Sequence, residues 1–194
     1  MKNHYFKNTD LEHQIIIFND TVCGNYFKFT TDKGIFSKDH VDHLTKTFLD
    51  VIINVIDPNS VLDFGCGYGV IGMCVSKYHN VCVDMLDINE RAVNLAKLNV
   101  EQNNLNANVF ISNMFERVEN KYSSILLNPP IHAGKKTCYN IYEQAKYHLV
   151  NKGSLYIVIS KKHGAKSTID FLNSIYESVD ILYKKKAVYV IKAN

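Results

Sequence analysis

Three stretches of this chain carry side chains whose types and spacing suit chemistry on a bound ligand. The first is Asp63-Phe64-Gly65-Cys66-Gly67-Tyr68-Gly69. Alternate glycines after an apolar run allow positive φ and let a ligand approach the backbone with no Cβ in the way. A strand, a glycine loop and a helix start make a cofactor site at the carboxyl edge of a parallel sheet. The loop is neither the dinucleotide G-x-G-x-x-G nor a phosphate loop with Gly-Lys-Ser/Thr. The second is Asp87, about 20 residues on, in the window where an acidic residue accepts hydrogen bonds from ribose hydroxyls. An aspartate favoured by the positive end of a helix is an equally good reading of it. The third is Asn128-Pro129-Pro130-Ile131. Proline fixes φ and removes backbone donors, so this loop is either a rigid turn or a stiff array of acceptors. As acceptors, the Asn128 side-chain oxygen and the Pro129 carbonyl suit both hydrogens of a planar amino group. They would align its nitrogen and stabilise positive charge developing there. The loop has no Cys or Asp nucleophile, which argues against chemistry at a ring carbon.

The elements that must position these residues follow from periodicity. Ile15–Phe18 and Tyr26–Thr30 are β-rich runs that read as a hairpin with a longer loop. Thr31–Ser37 is a turn-rich connector in which Ser37 can cap the next helix. Val41, Leu44, Phe48, Val51, Ile52 and Val55 repeat at helical spacing, and Asp57-Pro58 ends that helix. Strands and helices then alternate: strands at Val61–Phe64, Val81–Leu86, Val109–Ser112, Ser123–Leu127 and Leu155–Ser160, with helices between them except for a short irregular segment after Ser112. Val179–Tyr183 and Val188–Ile191, joined through Lys184–Lys186, read as a closing hairpin that makes one edge strand antiparallel. Such alternation predicts an α/β fold, a mostly parallel sheet with helices on both faces.

The 194 residues suit one domain with a sizeable core, and 46% are apolar. The five cysteines form no C-x-x-C pair, and most lie in apolar runs, so free thiols in a reducing cytoplasm are expected. No apolar run approaches the roughly 20 residues that span a bilayer, and the amino-terminal stretch lacks the apolar core of a secretory signal. The net charge of +3 permits an RNA partner without demanding one. The eight histidines lack metal-ligand spacing, so no metal is expected.

The strings FTTDKGIFS, DFGCGYGVIG, DINERAVNLA and NPPIHAGKK together resemble the RsmC-like "methyltransferase small domain" family, and within it the short YbxB-like proteins. The resemblance runs from about Tyr26 to the carboxyl terminus. It implies a class I, Rossmann-like methyltransferase sheet of seven strands, with residues 1–38 as an amino-terminal extension and hairpin on the core and 39–194 as the catalytic domain. It implies S-adenosyl-L-methionine as cofactor and methylation of a guanine exocyclic amine in RNA, small-subunit ribosomal RNA in particular, in the cytoplasm. Cofactor contacts would come from Asp63, Gly65, Cys66, Gly67, Gly69, Asp87, Ile88, Asn113, Met114 and Asn128. The D-x-N-x-x-A likeness of Asp87–Ala92 favours the ribose reading of Asp87. Relatives usually carry aspartate at position 113, where it accepts from the adenine amino group. An asparagine oxygen can also accept, and a plain turn residue is the alternative. Ile131 stands where many relatives have a base-stacking aromatic, which would leave stacking to Phe36. His132, Lys135, Lys136, Lys161, Lys162 and His163 follow the strand ends that would flank the substrate mouth. DNA adenine, transfer RNA or a protein glutamine would suit the same loop, and a non-catalytic module with a vestigial cofactor site is the reading from outside enzymology.

Overall fold

The computed structural model describes residues 14–32 and 40–194. The chain opens with a hairpin of β1 (Ile15–Val22) and β2 (Asn25–Asp32). Val22 pairs with Asn25, so the loop is the two residues Cys23 and Gly24, both at positive φ (47° and 72°). This corrects the longer loop expected from sequence. Asn19 and Asp20 read as a break, yet they stay in the strand, and the tight turn takes the left-handed pair favoured between twisted strands. Helix α1 (His43–Ile52) starts behind Asp42, whose side chain accepts from the Thr45 N–H at 3.1 Å. Such a cap contributes about 1 kcal/mol. Asp42 therefore caps this helix, while Ser37 lies outside the described residues. The helix also stops at Ile52, short of Val55.

Strand β3 (Val61–Phe64) leads to α2 (Val70–His79), then β4 (Val83–Asp87) to α3 (Glu90–Gln102), and then to β5 (Ala107–Ile111). Asn89 caps α3 through the Arg91 N–H at 3.0 Å, with Glu90 favourably placed in its first turn. Then come β6 (Tyr122–Leu127), α4 (Lys135–Tyr147), β7 (Leu149–Ser160), α5 (Ala165–Ile175), β8 (Val179–Lys185) and β9 (Val188–Ala193). Strand β7 begins six residues earlier than the apolar run at Leu155 predicts. Its polar start is held by pairing, with Leu149 abreast of Tyr122.

The sheet has seven strands in the order β5-β4-β3-β6-β7-β9-β8. Strand β9 is antiparallel to both of its neighbours. The antiparallel strand is thus second from the edge, not at it: β8 is the edge, and the hairpin folds back to insert β9 between β7 and β8. Side chains alternate between faces. Val61, Val83, Met85, Leu126, Tyr156 and Val158 pack on the side of α1, α2 and α3. Leu62, Phe64, Leu86, Leu127, Ile157 and Ile159 pack on the side of α4 and α5. Phe48, Leu49 and Ile52 of α1 are fully buried, each worth about 2 kcal/mol of apolar transfer. Among the described residues no helix is long and apolar enough to cross a membrane.

The hairpin lies outside this sheet and is wired to it. Buried Asn99 of α3 accepts from the Thr30 N–H (2.7 Å) and donates to the carbonyls of Thr30 (2.9 Å) and Tyr68 (2.8 Å). Arg91 pairs with buried Asp32, and the Tyr68 ring meets Phe29 edge-on.

Candidate active site

Phe64 ends β3, and the chain turns at once. The N–H groups of Gly65 and Cys66 both donate to the Leu86 carbonyl (2.8 and 2.9 Å), which ties the loop to the end of β4. Gly67 has φ +56°, and a Cβ added there would meet nothing within 4 Å. The positive φ favours glycine, and the open space above it leaves the backbone accessible, as a ligand cradle would. Gly69 is different. It caps α2 at φ +102°, and a Cβ would come within 3.0 Å of the Met85 Cε, so its role is packing. Asp87 joins loop and helix: its carboxylate accepts from the N–H of Gly67 (3.0 Å) and of Asn89 (2.9 Å). Burial pushes its carboxyl above the ordinary range, opposed by these N–H groups. Each oxygen keeps a lone pair for a further donor.

Above the loop opens a cleft of about 980 Å3, at the upper end for small-molecule sites. It gathers Gly65, Cys66, Gly67, Asp87, Ile88, Asn113, Met114, Asn128, Pro129, Pro130, Ile131, His132 and Lys162. These residues come from five strand ends, those of β3, β4, β5, β6 and β7, that are far apart in sequence. Asp63, Gly69, Lys135, Lys136 and Lys161 do not line it. The Lys135 ammonium sits 5.1 Å from the centre of the Tyr139 ring, and the Lys161 N–H is tied to the Ala187 carbonyl. Phe36 lies outside the described residues.

Asp63 is fully buried beneath the loop. Its Oδ2 accepts from the Gly72 N–H at 2.8 Å, and its Oδ1 has no hydrogen-bond partner among the described residues. Burial pushes its carboxyl up to about 7, with Asp87 adding repulsion and the Gly72 N–H opposing. The folded chain therefore holds this proton where the unfolded chain, at the ordinary 3.8, has lost it. The stability it contributes is fully present below the unfolded value and is lost as pH rises through about 7. Relative to Asp63→Asn, the wild-type Tm should fall as pH is raised from about 5 to about 8. A Tm difference that stays constant with pH would mean an ordinary carboxyl.

Asn113 follows β5, and its amide nitrogen donates to Glu116 Oε1 at 2.6 Å. The group left to offer a ligand is the oxygen. Met114 beside it takes φ +50°, a costly conformation for a non-glycine residue. It is held there by the Ser112 hydroxyl, which donates to the Met114 carbonyl at 2.8 Å. Asn113→Leu should weaken cofactor binding about fivefold, near 1 kcal/mol for one lost acceptor. Asn113→Asp sets a second carboxylate against Glu116. The pair Asn113→Asp with Glu116→Gln removes that repulsion and should bind at least as well as wild type by calorimetry. Equal affinity in all variants would leave Asn113 a turn residue.

Asn128 follows β6 and is partly buried. One hydrogen of its amide nitrogen goes to the Thr45 hydroxyl of α1 at 3.4 Å, which sets the amide plane, and its oxygen can accept from a ligand. The Pro129 carbonyl accepts from the Ile131 N–H at 2.8 Å. Pro130 between them, at φ −74° and ψ 76°, makes this an inverse γ-turn. One lone pair of that carbonyl is therefore occupied, and the other is available. The start of α1 (Asp42, His43, Leu44, Thr45), the end of β7 (Val158, Ile159, Ser160) and His163 also line the cleft. Sequence reading set His163 at the mouth and missed the others. The Asp42 cap was legible three residues before Thr45, but that α1 begins at this sheet edge is a tertiary fact.

The family model for the methyltransferase small domain matches residues 26–192. The chain belongs to the methyltransferase small domain family. It is similar to YbxB of Bacillus subtilis, with 42% identity over 171 residues, covering 86% of this chain and 85% of that protein. It is also similar to the ribosomal RNA small subunit methyltransferase C of Psychromonas ingrahamii, with 43% identity over 135 residues. That match covers 66% of this chain but 38% of the relative, so the chain spans under half of that relative's length. Among solved structures it superposes on the Thermus thermophilus 16S rRNA N2 G1207 methyltransferase RsmC, in complex with AdoMet and guanosine. The TM-score is 0.83 at 21% identity, over 93% of this chain and 50% of that one. This likeness shows a shared methyltransferase fold. The glycine loop, the acidic end of β4 and the N-P-P turn lie within the matched residues, and all three line the cleft.

Proposed function

We propose that this chain is an S-adenosylmethionine-dependent methyltransferase acting on the exocyclic amino group of guanine in RNA, small-subunit ribosomal RNA in particular. The observation that carries this reading is Asn128. Its nitrogen gives one hydrogen to Thr45, and its oxygen can accept at a cleft shared with the glycine loop. The methyltransferase C relative and the RsmC neighbour, by their descriptions, act on ribosomal RNA. The open cradle over Gly67, with Asp87 beside it, fits a ribose-bearing cofactor. S-adenosylmethionine bound there supplies an electrophilic methyl group for in-line displacement by a nitrogen.

The chain's own residues then orient the nitrogen. The Asn128 oxygen and the free lone pair of the Pro129 carbonyl accept the two amine hydrogens. This holds the amine plane and directs its lone pair away from both acceptors. As the nitrogen becomes positive, both bonds strengthen, so their effect falls on the barrier more than on binding. No strong base is required, because the amine becomes acidic once alkylated. His132, Lys162 and His163 at the mouth give donors for phosphate, and an unpaired base would enter more readily than a stacked one.

The test is incubation of the chain and methyl-labelled cofactor with total RNA, ribosomal subunits, DNA and protein. Label is expected in RNA and should co-migrate with N2-methylguanosine after digestion. Label in DNA adenine or protein glutamine would overturn the guanine assignment.

A further inference from the structure

Ser160 ends β7 with a hydroxyl that none of the described residues uses. The residue is 8% exposed, its Oγ has no hydrogen-bond partner among the described residues, and it lines the cleft. It stands at the start of the short 3-10 turn Lys161–His163, yet makes no side-chain cap bond to it. A buried hydroxyl left unpaired is unfavourable, so the position keeps a group that the described fold does not reward.

Strand geometry says where that group faces. β6 and β7 are parallel, with Leu127 abreast of Ile157, so continuing the count brings the N-P-P turn and Ser160 to the same sheet edge. Alternation puts Tyr156 and Val158 on the α1 side of the sheet, and Leu126 likewise. Ser160 and Asn128 have the parity of those residues, and Asn128 does reach α1 through Thr45. The two side chains thus share one wall of the cleft.

We propose that Ser160 is a specificity-determining residue for the acceptor base: its hydroxyl, covered as it stands, turns about χ1 into the cleft and bonds the ring nitrogen adjacent to the amino group that Asn128 and Pro129 hold. This rests on the guanine-amine reading above. In guanine the amino group is flanked by a donor, N1–H, and an acceptor, N3. A hydroxyl can serve either. The contact would make a third point of recognition, one that fixes rotation of the base about its amino group.

The experiment is titration of guanosine into the chain saturated with S-adenosylhomocysteine, read by calorimetry, beside thermal melts. Ser160→Ala should weaken guanosine about tenfold, leave S-adenosylhomocysteine affinity unchanged and raise Tm slightly, because an unpaired buried hydroxyl is removed. Ser160→Thr should restore most of the affinity. 1-Methylguanosine and 3-deazaguanosine identify the atom. One of them should bind wild type about tenfold more weakly than guanosine, and Ser160→Ala should no longer distinguish it from guanosine. Wild-type guanosine affinity in Ser160→Ala overturns the inference, as does a lowered Tm with equal penalties for both analogues, which would be a merely structural serine. A wild-type chain that binds adenosine but not guanosine overturns the guanine reading and this inference together, so the two failures are told apart.

Discussion

Asn128→Ala should slow methyl transfer about a hundredfold at saturating RNA and cofactor, with cofactor affinity nearly unchanged. A hydrogen bond that strengthens as its partner gains charge is lost mainly from the transition state. A loss of about 3 kcal/mol there corresponds to roughly that factor. The structure adds a graded series. Thr45→Val removes the acceptor that holds the Asn128 nitrogen at 3.4 Å but leaves the amide oxygen in place. It should reduce turnover by about three- to tenfold through looser orientation, as expected for one modest hydrogen bond. Pre-steady-state single turnovers separate this from RNA release. A full-rate Asn128→Ala enzyme would sink amine orientation as the mechanism.

The second large effect has the opposite kinetic signature. Asp87→Ala should weaken cofactor binding by about ten- to a hundredfold, while turnover at saturating cofactor changes little. The carboxylate does two jobs at once. In the proposed reading it offers acceptors to the ribose hydroxyls, and it holds the Gly67 and Asn89 N–H groups at 3.0 and 2.9 Å. Removing it leaves a ribose donor unpaired and frees the loop, costs of about 1–3 kcal/mol together. Asp87→Asn keeps one acceptor but turns an NH2 group toward a backbone donor, so an intermediate loss is expected. Calorimetry with S-adenosylhomocysteine reads both variants, and unchanged affinity would move the ribose elsewhere.

The sequence was informative wherever one residue type is forced by local physics. Positive φ at Gly65, Gly67 and Gly69, the Asn-Pro-Pro turn and the alternation of short apolar strands with amphipathic helices are all local signals, and the structure follows them. What depended on distant partners was not legible. The inserted β9, the early start of β7 and the arrival of α1 at the cleft are decided by pairing and packing between segments far apart in the chain. The basic residues split for the same reason. Lys162 lines the cleft and Lys161 does not, though they are neighbours, because the chain enters a helical turn there. Asn113 and Asn128 were legible as polar residues at strand ends. That each gives an amide hydrogen to a neighbour and keeps its oxygen was not.

The inserted strand bears on synthesis. A ribosome releases β7, α5 and β8 before β9, yet β8 borders only β9, and β7 borders β9 on that flank. Until Val188–Ala193 leaves the exit tunnel, β8 has no neighbour in the sheet and β7 exposes an unpaired edge, the kind of edge that invites association with other nascent chains. The wall that carries Ser160 is completed at the same moment, since Ser160 pairs with Val188. The glycine loop and the Asp87 clamp, built from segments translated much earlier, wait for no such event. The residues of the cradle therefore leave the ribosome well before the wall that carries Ser160 can close.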